Sequence, residues 1–312
     1  MSGLQLEKNV LFYEDNVEIL RKENHSESVD FYFTAQQFSF MENQRAIIQS
    51  SMTKKIYPRS PLRYPGGKSR GVKYILPLVP ENVNNLCSPF LGGGSIELAA
   101  TLRMKVKGYD IFGPLIDFWN ELINNPNELA DRVTNYFPLE KSLFYQLQKE
   151  FLDEPDPRTR AAKFYVLNRS SYSGTTLSGG MSPNHPRFTA SSIERLREFS
   201  VQDFEVECMD FHDSIPLHAQ DFLYLDPPYL IKQALYGYKG STHNGFDHQG
   251  LYELLSKRDS WILSYNDCDE VRQKYKRYQI ITPEWVYGMS KNKTSREILI
   301  LSKDLPHVSF TK

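Results

Sequence analysis

The stretch that most constrains this chain is Asp221-Phe222-Leu223-Tyr224-Leu225, followed by Asp226-Pro227-Pro228-Tyr229. The first five residues read as a buried strand: short, apolar, aromatic-rich and stopped by prolines. A carboxylate, two stiff residues and an aromatic ring therefore stand at the carboxyl end of a sheet strand. That edge is where open α/β sheets bind ligands.

A second segment has the matching form. Asn85-Leu86-Cys87-Ser88-Pro89-Phe90 reads as a first strand and runs into Leu91-Gly92-Gly93-Gly94-Ser95. Ser95 is a good helix N-cap, and Ile96-Glu97-Leu98-Ala99-Ala100 starts a helix. Strand, glycine loop and helix have the form of a nucleotide-cofactor site, although an ordinary glycine turn between strand and helix reads the same way. A dinucleotide fingerprint wants a small residue where Glu97 falls, which disfavours a dehydrogenase. An S-adenosylmethionine site tolerates the pattern, because that cofactor has no pyrophosphate to cradle. The next strand, Val106-Lys107-Gly108-Tyr109, ends at Asp110, an acid placed to accept from two ribose hydroxyls. Residues 204–210 alternate like a strand and end in Asp210. With Phe211 that acid could bracket a cofactor adenine, although a plain strand end reads the same way.

Between Lys54 and Lys73 the chain carries only basic charge, and inside lies Arg63-Tyr64-Pro65-Gly66-Gly67-Lys68-Ser69. Gly-Lys-Ser suggests a phosphate loop, but that pattern needs a glycine where Leu62 stands. The remaining reading is a glycine turn that brings backbone and Lys68 near an anionic group, or else a basic solvated loop.

The quartet at 226–229 suits methyl transfer to an exocyclic amino group. Such a nitrogen is a poor nucleophile until two acceptors localise its lone pair. The Asp226 side chain and the Pro227 carbonyl supply them, Pro228 holds both still, and Tyr229 offers a face on which a base stacks.

Helices are expected over 114–124, 126–137, 140–152, 157–169, 191–199, 247–257 and 268–276, with strands at 261–265, 278–287 and 296–302. Residues 170–192 read as a polar loop suited to phosphates and base edges, with Arg169, Ser171 and Arg187 as contacts. Lys291 and Lys293, at a basic hairpin tip, are further backbone contacts. Residues 232–245 read as a mobile lid. His243 and His248 have no third ligand at suitable spacing, so no metal is expected.

The chain has 312 residues and a net charge of −1, so nucleic acid must be bound by a local basic patch rather than by bulk charge. Three scattered cysteines, Cys87, Cys208 and Cys268, suggest a reducing, cytoplasmic compartment. No secretory signal and no membrane-length apolar run are visible.

In order, Arg63-Tyr64-Pro65-Gly66-Gly67-Lys68, Pro89-Phe90-Leu91-Gly92-Gly93-Gly94, Asp110 and Asp226-Pro227-Pro228-Tyr229 resemble the DNA adenine-N6 methyltransferases of the class typified by the GATC-specific adenine methylase. The likeness runs over about residues 60–303. It implies a Rossmann-like α/β sheet with a C-terminal antiparallel hairpin and a mostly helical target-recognition insertion. The catalytic domain would be 54–124 and 201–312, the insertion 125–200, and 1–53 an extension of unassigned role. Tyr64, Lys68, Asp110 and Asp226 would line the S-adenosylmethionine pocket, with Phe90, Gly92, Gly94 and Asp210 assigned beside them. The expected substrate is an adenine flipped from duplex DNA, and a cognate restriction nuclease is a candidate partner. N4-cytosine methylation, where a serine commonly replaces the acid at Asp226, and a silent DNA-binding module are the alternatives. Carbon-5 methylation needs a Pro-Cys nucleophile, which is absent.

Overall fold

The computed structural model describes residues 57–182, 187–230, 245–283 and 297–308. The extension at 1–53, all but the last residue of the lid expected at 232–245 and the hairpin tip at 289–295 lie outside them, as do Lys291 and Lys293.

The described residues form a mixed α/β fold around a seven-stranded sheet. The strands are β1 (Asn85–Ser88), β2 (Lys105–Asp110), β3 (Phe204–Cys208), β4 (Phe222–Leu225), β5 (Trp261–Asn266), β6 (Gln279–Ile281) and β7 (Glu297–Leu301). Their order is β3-β2-β1-β4-β5-β7-β6. The first five pair in parallel; β7 runs antiparallel to both β5 and β6. Every residue of β4 and β7 is buried, whereas edge strand β3 alternates only at its start. Central strands of a parallel sheet are covered on both faces, which is why β4 reads as an unbroken apolar run.

The helices follow from local signals. In α1 (Val72–Ile75) and α2 (Ser95–Ala100) the buried residues face the sheet core. In α3 (Gly113–Asn124), Leu115, Phe118, Trp119 and Leu122 form one buried stripe at i, i+3, i+4 and i+7. Helices α4 (Pro126–Thr134), α5 (Lys141–Glu150), α6 (Pro157–Ser170) and α7 (Ala190–Arg197) lie between α3 and β3 in the chain. Asp156 caps α6 by accepting from the backbone N–H groups of Arg158 and Thr159, and Pro157 occupies the first turn. Phe118 of α3 stacks on Tyr165 of α6 with ring centroids 5.5 Å apart, so these helices share one apolar core with β1–β3.

Two elements differ from expectation. Ser95 is the first residue of α2, not its cap. Gly94 holds the cap position at φ 63°, a left-handed turn that glycine permits. A Cβ on Gly94 would stand 2.7 Å from the Trp119 ring, and the Trp119 indole N–H donates to the Gly92 carbonyl at 3.1 Å. The glycine loop is therefore seated on α3. An unexpected helix, α8 (Phe211–Leu217), follows β3; Pro216 inside it hid the pattern, although Asp210 caps it. After β4 come α9 (His248–Ser256) and α10 (Asp269–Lys274).

Where β1 meets α2, Glu97 is buried and its Oε1 accepts from the Ser88 hydroxyl at 2.6 Å. Burial pushes the Glu97 carboxyl up to about 7 against the Ser88 bond, with Asp226 raising it further and Lys68 opposing. A carboxyl raised in the folded state destabilises the fold as pH climbs from its unfolded value, near 4.5, through about 7. Glu97→Gln should therefore be more stable than the parent at pH 8 by about 1–3 kcal/mol. The advantage should vanish near pH 4.5. Denaturant melts at the two pH values check this, and a variant destabilised more at pH 8 than at pH 4.5 contradicts it.

Candidate active site

The turn at 64–67 closes through the Gly67 N–H donating to the Tyr64 carbonyl at 3.0 Å. It delivers Lys68, 5 % exposed, into the sheet's carboxyl edge. The Lys68 ammonium donates to Asp226 Oδ2 at 2.7 Å, the Tyr229 hydroxyl at 2.8 Å and the Gly66 carbonyl at 3.0 Å. It pairs with Glu297 Oε1 at 3.2 Å, and the Tyr229 hydroxyl donates to the same Oε1. Burial alone would lower the Lys68 pKa, but Asp226 and Glu297 outweigh it and the net shift is upward. Asp226 moves the other way for an acid: burial pushes it up to about 6, Lys68 opposes, and Glu297 adds to the rise. Asp226 Oδ1 is buried without a hydrogen-bond partner.

A cavity of about 380 Å³ opens beside this cluster. It is lined from one side by Gly92, Gly93 and Gly94 after β1, and from the other by Asp226, Pro227, Pro228 and Tyr229 after β4. Strands β1 and β4 are neighbours whose connections leave in opposite directions across the sheet, the switch point where such sheets bind ligands. The diproline corner and the glycine hollow thus share one space. Tyr64 packs on the glycine loop so closely that a Cβ on Gly93 would lie 2.7 Å from its own Cβ.

Asp110 ends β2 and lines the cavity; its two oxygens accept from the backbone N–H groups of Gly92 at 3.1 Å and Phe112 at 3.0 Å. Burial raises its pKa against those bonds. Farther along, Phe90, Phe211 and Phe246 form an aromatic wall with centroids 5.2–5.6 Å apart. Asp210 also lines the cavity, and its Oδ1 is engaged by the His212 backbone N–H and ring.

The polar stretch at 170–192 is not the exposed loop expected. Ser171 is fully buried: its hydroxyl accepts from the Thr176 N–H at 2.9 Å and donates to the Asn168 carbonyl. That corrects its assignment as a DNA contact, because its bonding capacity is used inside. Asn168 clamps Arg63, accepting from its N–H and donating to its carbonyl, both at 2.9 Å. Gly174, Thr175, Thr176 and Leu177 consequently line the cavity. Arg169 directs one N–H from each guanidinium nitrogen at the carbonyls of Arg187 and Pro61. Arg63, Arg169 and Arg187 crowd together: burial first, then the neighbouring cations, lower the Arg63 pKa.

Four participants were not singled out from sequence: Glu97, Phe246, Glu297 and the 174–177 segment. Glu297 carried a signal, a lone acid opening an apolar strand. The others carried none distinguishable from ordinary helix, loop or lid composition.

A family model described as D12 class N6 adenine-specific DNA methyltransferase matches residues 64–289. The chain is 27% identical over 272 residues to the modification methylase StsI of Streptococcus sanguinis, across 78% of this chain and 40% of that protein. It therefore spans less than half the length of that relative. It is 27% identical over 253 residues to the Type II methyltransferase M1.LlaDCHI of Lactococcus lactis subsp. cremoris, covering 72% of this chain and 87% of the relative. To a DNA adenine methylase of Vibrio cholerae it is 25% identical over 273 residues, covering 80% and 98%. With the matched region taking in the basic turn, the glycine loop, Asp110 and the diproline corner, the chain belongs to the D12 class of N6 adenine-specific DNA methyltransferases.

Proposed function

We propose that the chain uses S-adenosylmethionine to methylate N6 of an adenine flipped out of duplex DNA, with Asp226 holding the amino group. The observation that carries this reading is Asp226 Oδ1, a buried oxygen without a hydrogen-bond partner among the described residues, on a residue that lines the glycine-rich cavity. The family's adenine specificity favours it over N4-cytosine methylation and over a silent module.

The residues present fit the cofactor. The cavity volume lies within the roughly 300–1,000 Å³ of small-molecule sites. Gly92 and Gly93 let Tyr64 pack directly on the loop, and Asp110, Asp210 and Asp226 give the lining acidic character suited to a cation. When bound, S-adenosylmethionine supplies a methyl group on a positively charged sulfur. Tyr64 and the glycine loop would hold its methionine part. Asp110 would accept from the ribose hydroxyls. Phe90, Phe211 and Phe246 would pack on the adenine, with Asp210 beside them. Asp226 Oδ1 and the Pro227 carbonyl would accept from the two N6 hydrogens of the target base, aiming its lone pair at the methyl carbon. Tyr229 would support the base ring. Extrusion of the base costs a few kcal/mol, offset by stacking and these hydrogen bonds.

For DNA, the supported contacts are the arginines at the outer end of α6 and the loop after it. Arg187 is exposed and lies near Arg63, while Arg169 braces the Arg187 backbone. Lys291 and Lys293 remain proposed backbone contacts, and 125–200 remains the proposed recognition segment, attached to a catalytic domain of 54–124 and 201–312. The description of one relative as a modification methylase supports a role in host-DNA protection beside a restriction nuclease, in the cytoplasm. Among the described residues no helix is long and apolar enough to cross a membrane.

Asp226→Ala should lower methyl incorporation into duplex DNA at least about 10²-fold, the scale for removing one preorganised polar group. Glu297 remains to pair with Lys68, so the variant should still fold and bind cofactor; near-parent turnover would remove the central assignment. Phe211→Ala should weaken cofactor binding about tenfold in calorimetry, the loss of one stacking contact, with kcat at saturation little changed. Arg187→Ala should weaken DNA binding and reduce the slope of log affinity against log salt by about one, with cofactor affinity unaltered.

A further inference from the structure

Glu297 opens β7 and is 2 % exposed, yet it is a carboxylate in a strand otherwise made of isoleucine and leucine. An acid at such a position is tolerated only when its charge is met. Among the groups that meet it are two of the active site: the Lys68 ammonium at 3.2 Å and the Tyr229 hydroxyl. Both are also the groups that face Asp226.

We propose that Glu297 is a positioning residue for Asp226: by sharing the Lys68 ammonium and taking the Tyr229 hydroxyl, it restricts that ammonium to Asp226 Oδ2 and leaves Oδ1 to the target amino group. The inference rests on the reading of Asp226 given above. Lys68 has three N–H bonds, directed at Gly66, Tyr229 and Asp226 Oδ2, while the Glu297 carboxylate adds a second negative charge on its far side. A lysine tethered in this way cannot swing to bridge both Asp226 oxygens.

The second consequence is electronic. A single lysine against a carboxylate withdraws its basicity, and a weaker base is a weaker hydrogen-bond acceptor. Burial is the main reason Asp226 is pushed up to about 6, and Glu297 adds to that rise by offsetting part of the withdrawal by Lys68. The groups that face Asp226 are Lys68 from the basic loop, Glu297 from β7, Tyr229 from its own loop, Tyr224 from β4 and Glu97 from α2. Beside burial, which raises its pKa most, Lys68 and Tyr229 lower it and Glu297 raises it.

The test is kcat against pH on duplex DNA at saturating S-adenosylmethionine, with cofactor affinity measured separately by calorimetry. Glu297→Gln keeps the shape and removes the charge. It should move the acid limb of the profile down by about one pH unit and lower the plateau about three- to tenfold, with cofactor Kd within about twofold of the parent. Tyr229→Phe keeps the ring and should move the same limb upward. A Glu297→Gln profile whose acid limb coincides with the parent's overturns the proposal, since a merely structural acid would leave that limb in place. If Glu297→Gln does not fold, Tyr229→Phe decides, and a parent-like limb and plateau there overturn it. Asp226→Ala separates the two failures. An inactive Asp226→Ala beside an unmoved Glu297→Gln limb removes only the role of Glu297, whereas an active Asp226→Ala removes the reading on which it rests.

Discussion

One buried ammonium organises the catalytic edge. Lys68 comes from the turn before the sheet, Asp226 and Tyr229 from the loop after β4, and Glu297 from the start of β7. These segments are far apart in the chain and meet only here. A charge so deeply withdrawn from water is tolerable because two carboxylates, a hydroxyl and a carbonyl surround it, and removing any one partner leaves the others partly uncompensated. Such an arrangement is weak support for global stability. It is strong support for a fixed geometry, because the ammonium has one place where all its demands are met.

A second constraint works from below. The glycine loop cannot float, since Trp119 donates to the Gly92 carbonyl and fills the space beside Gly94. Trp119 lies on α3, and α3 shares its aromatic face with Phe164 and Tyr165 of α6. At its far end α6 carries Asn168, which fixes the backbone of Arg63, one residue before Tyr64. The helices between β2 and β3 therefore brace both the glycine loop and the basic turn. On the proposed reading, the segment that meets DNA and the segment that holds cofactor are parts of one packed core.

What the sequence made legible was the chemistry that punctuates strands. Gly92 to Gly94, Asp110 and Asp226 to Tyr229 all fall at carboxyl ends of parallel strands, where side chains are forced by topology toward one edge, so local pattern and spatial neighbourhood coincide. The helices of 114–169 were legible for a similar reason: their prolines and apolar spacing are local signals. The partners of Lys68 were not. Glu297 follows Asp226 by a long, intervening stretch, and nothing in Glu297-Ile298-Leu299-Ile300-Leu301 names the cation it meets. Ser171 failed in the opposite direction. A hydroxyl in a polar stretch looks solvent-facing, but the fold turned it inward to satisfy the Thr176 backbone. Burial of small polar residues depends on where neighbouring backbone ends up, which composition does not encode.

The distribution of charge also resolves how a chain of net charge −1 can serve a polyanionic substrate. The cavity is bordered by Glu97, Asp110, Asp210 and Asp226, and the cation among them, Lys68, is already held by carboxylates. That interior suits a positively charged methyl donor and repels phosphate. Outside it, burial first and then the neighbouring arginines Arg187 and Arg195 lower the pKa values of Arg63 and Arg169, a local concentration of positive charge that the whole-chain sum conceals. Fields of this kind act over about a Debye length, roughly 8–10 Å, so an acidic pocket and a basic surface can coexist on one domain without cancelling. On the proposed reading, segregation rather than total charge admits each reactant from its own side: the donor into the acidic hollow, the backbone onto the arginines, and the base alone across the boundary to Asp226.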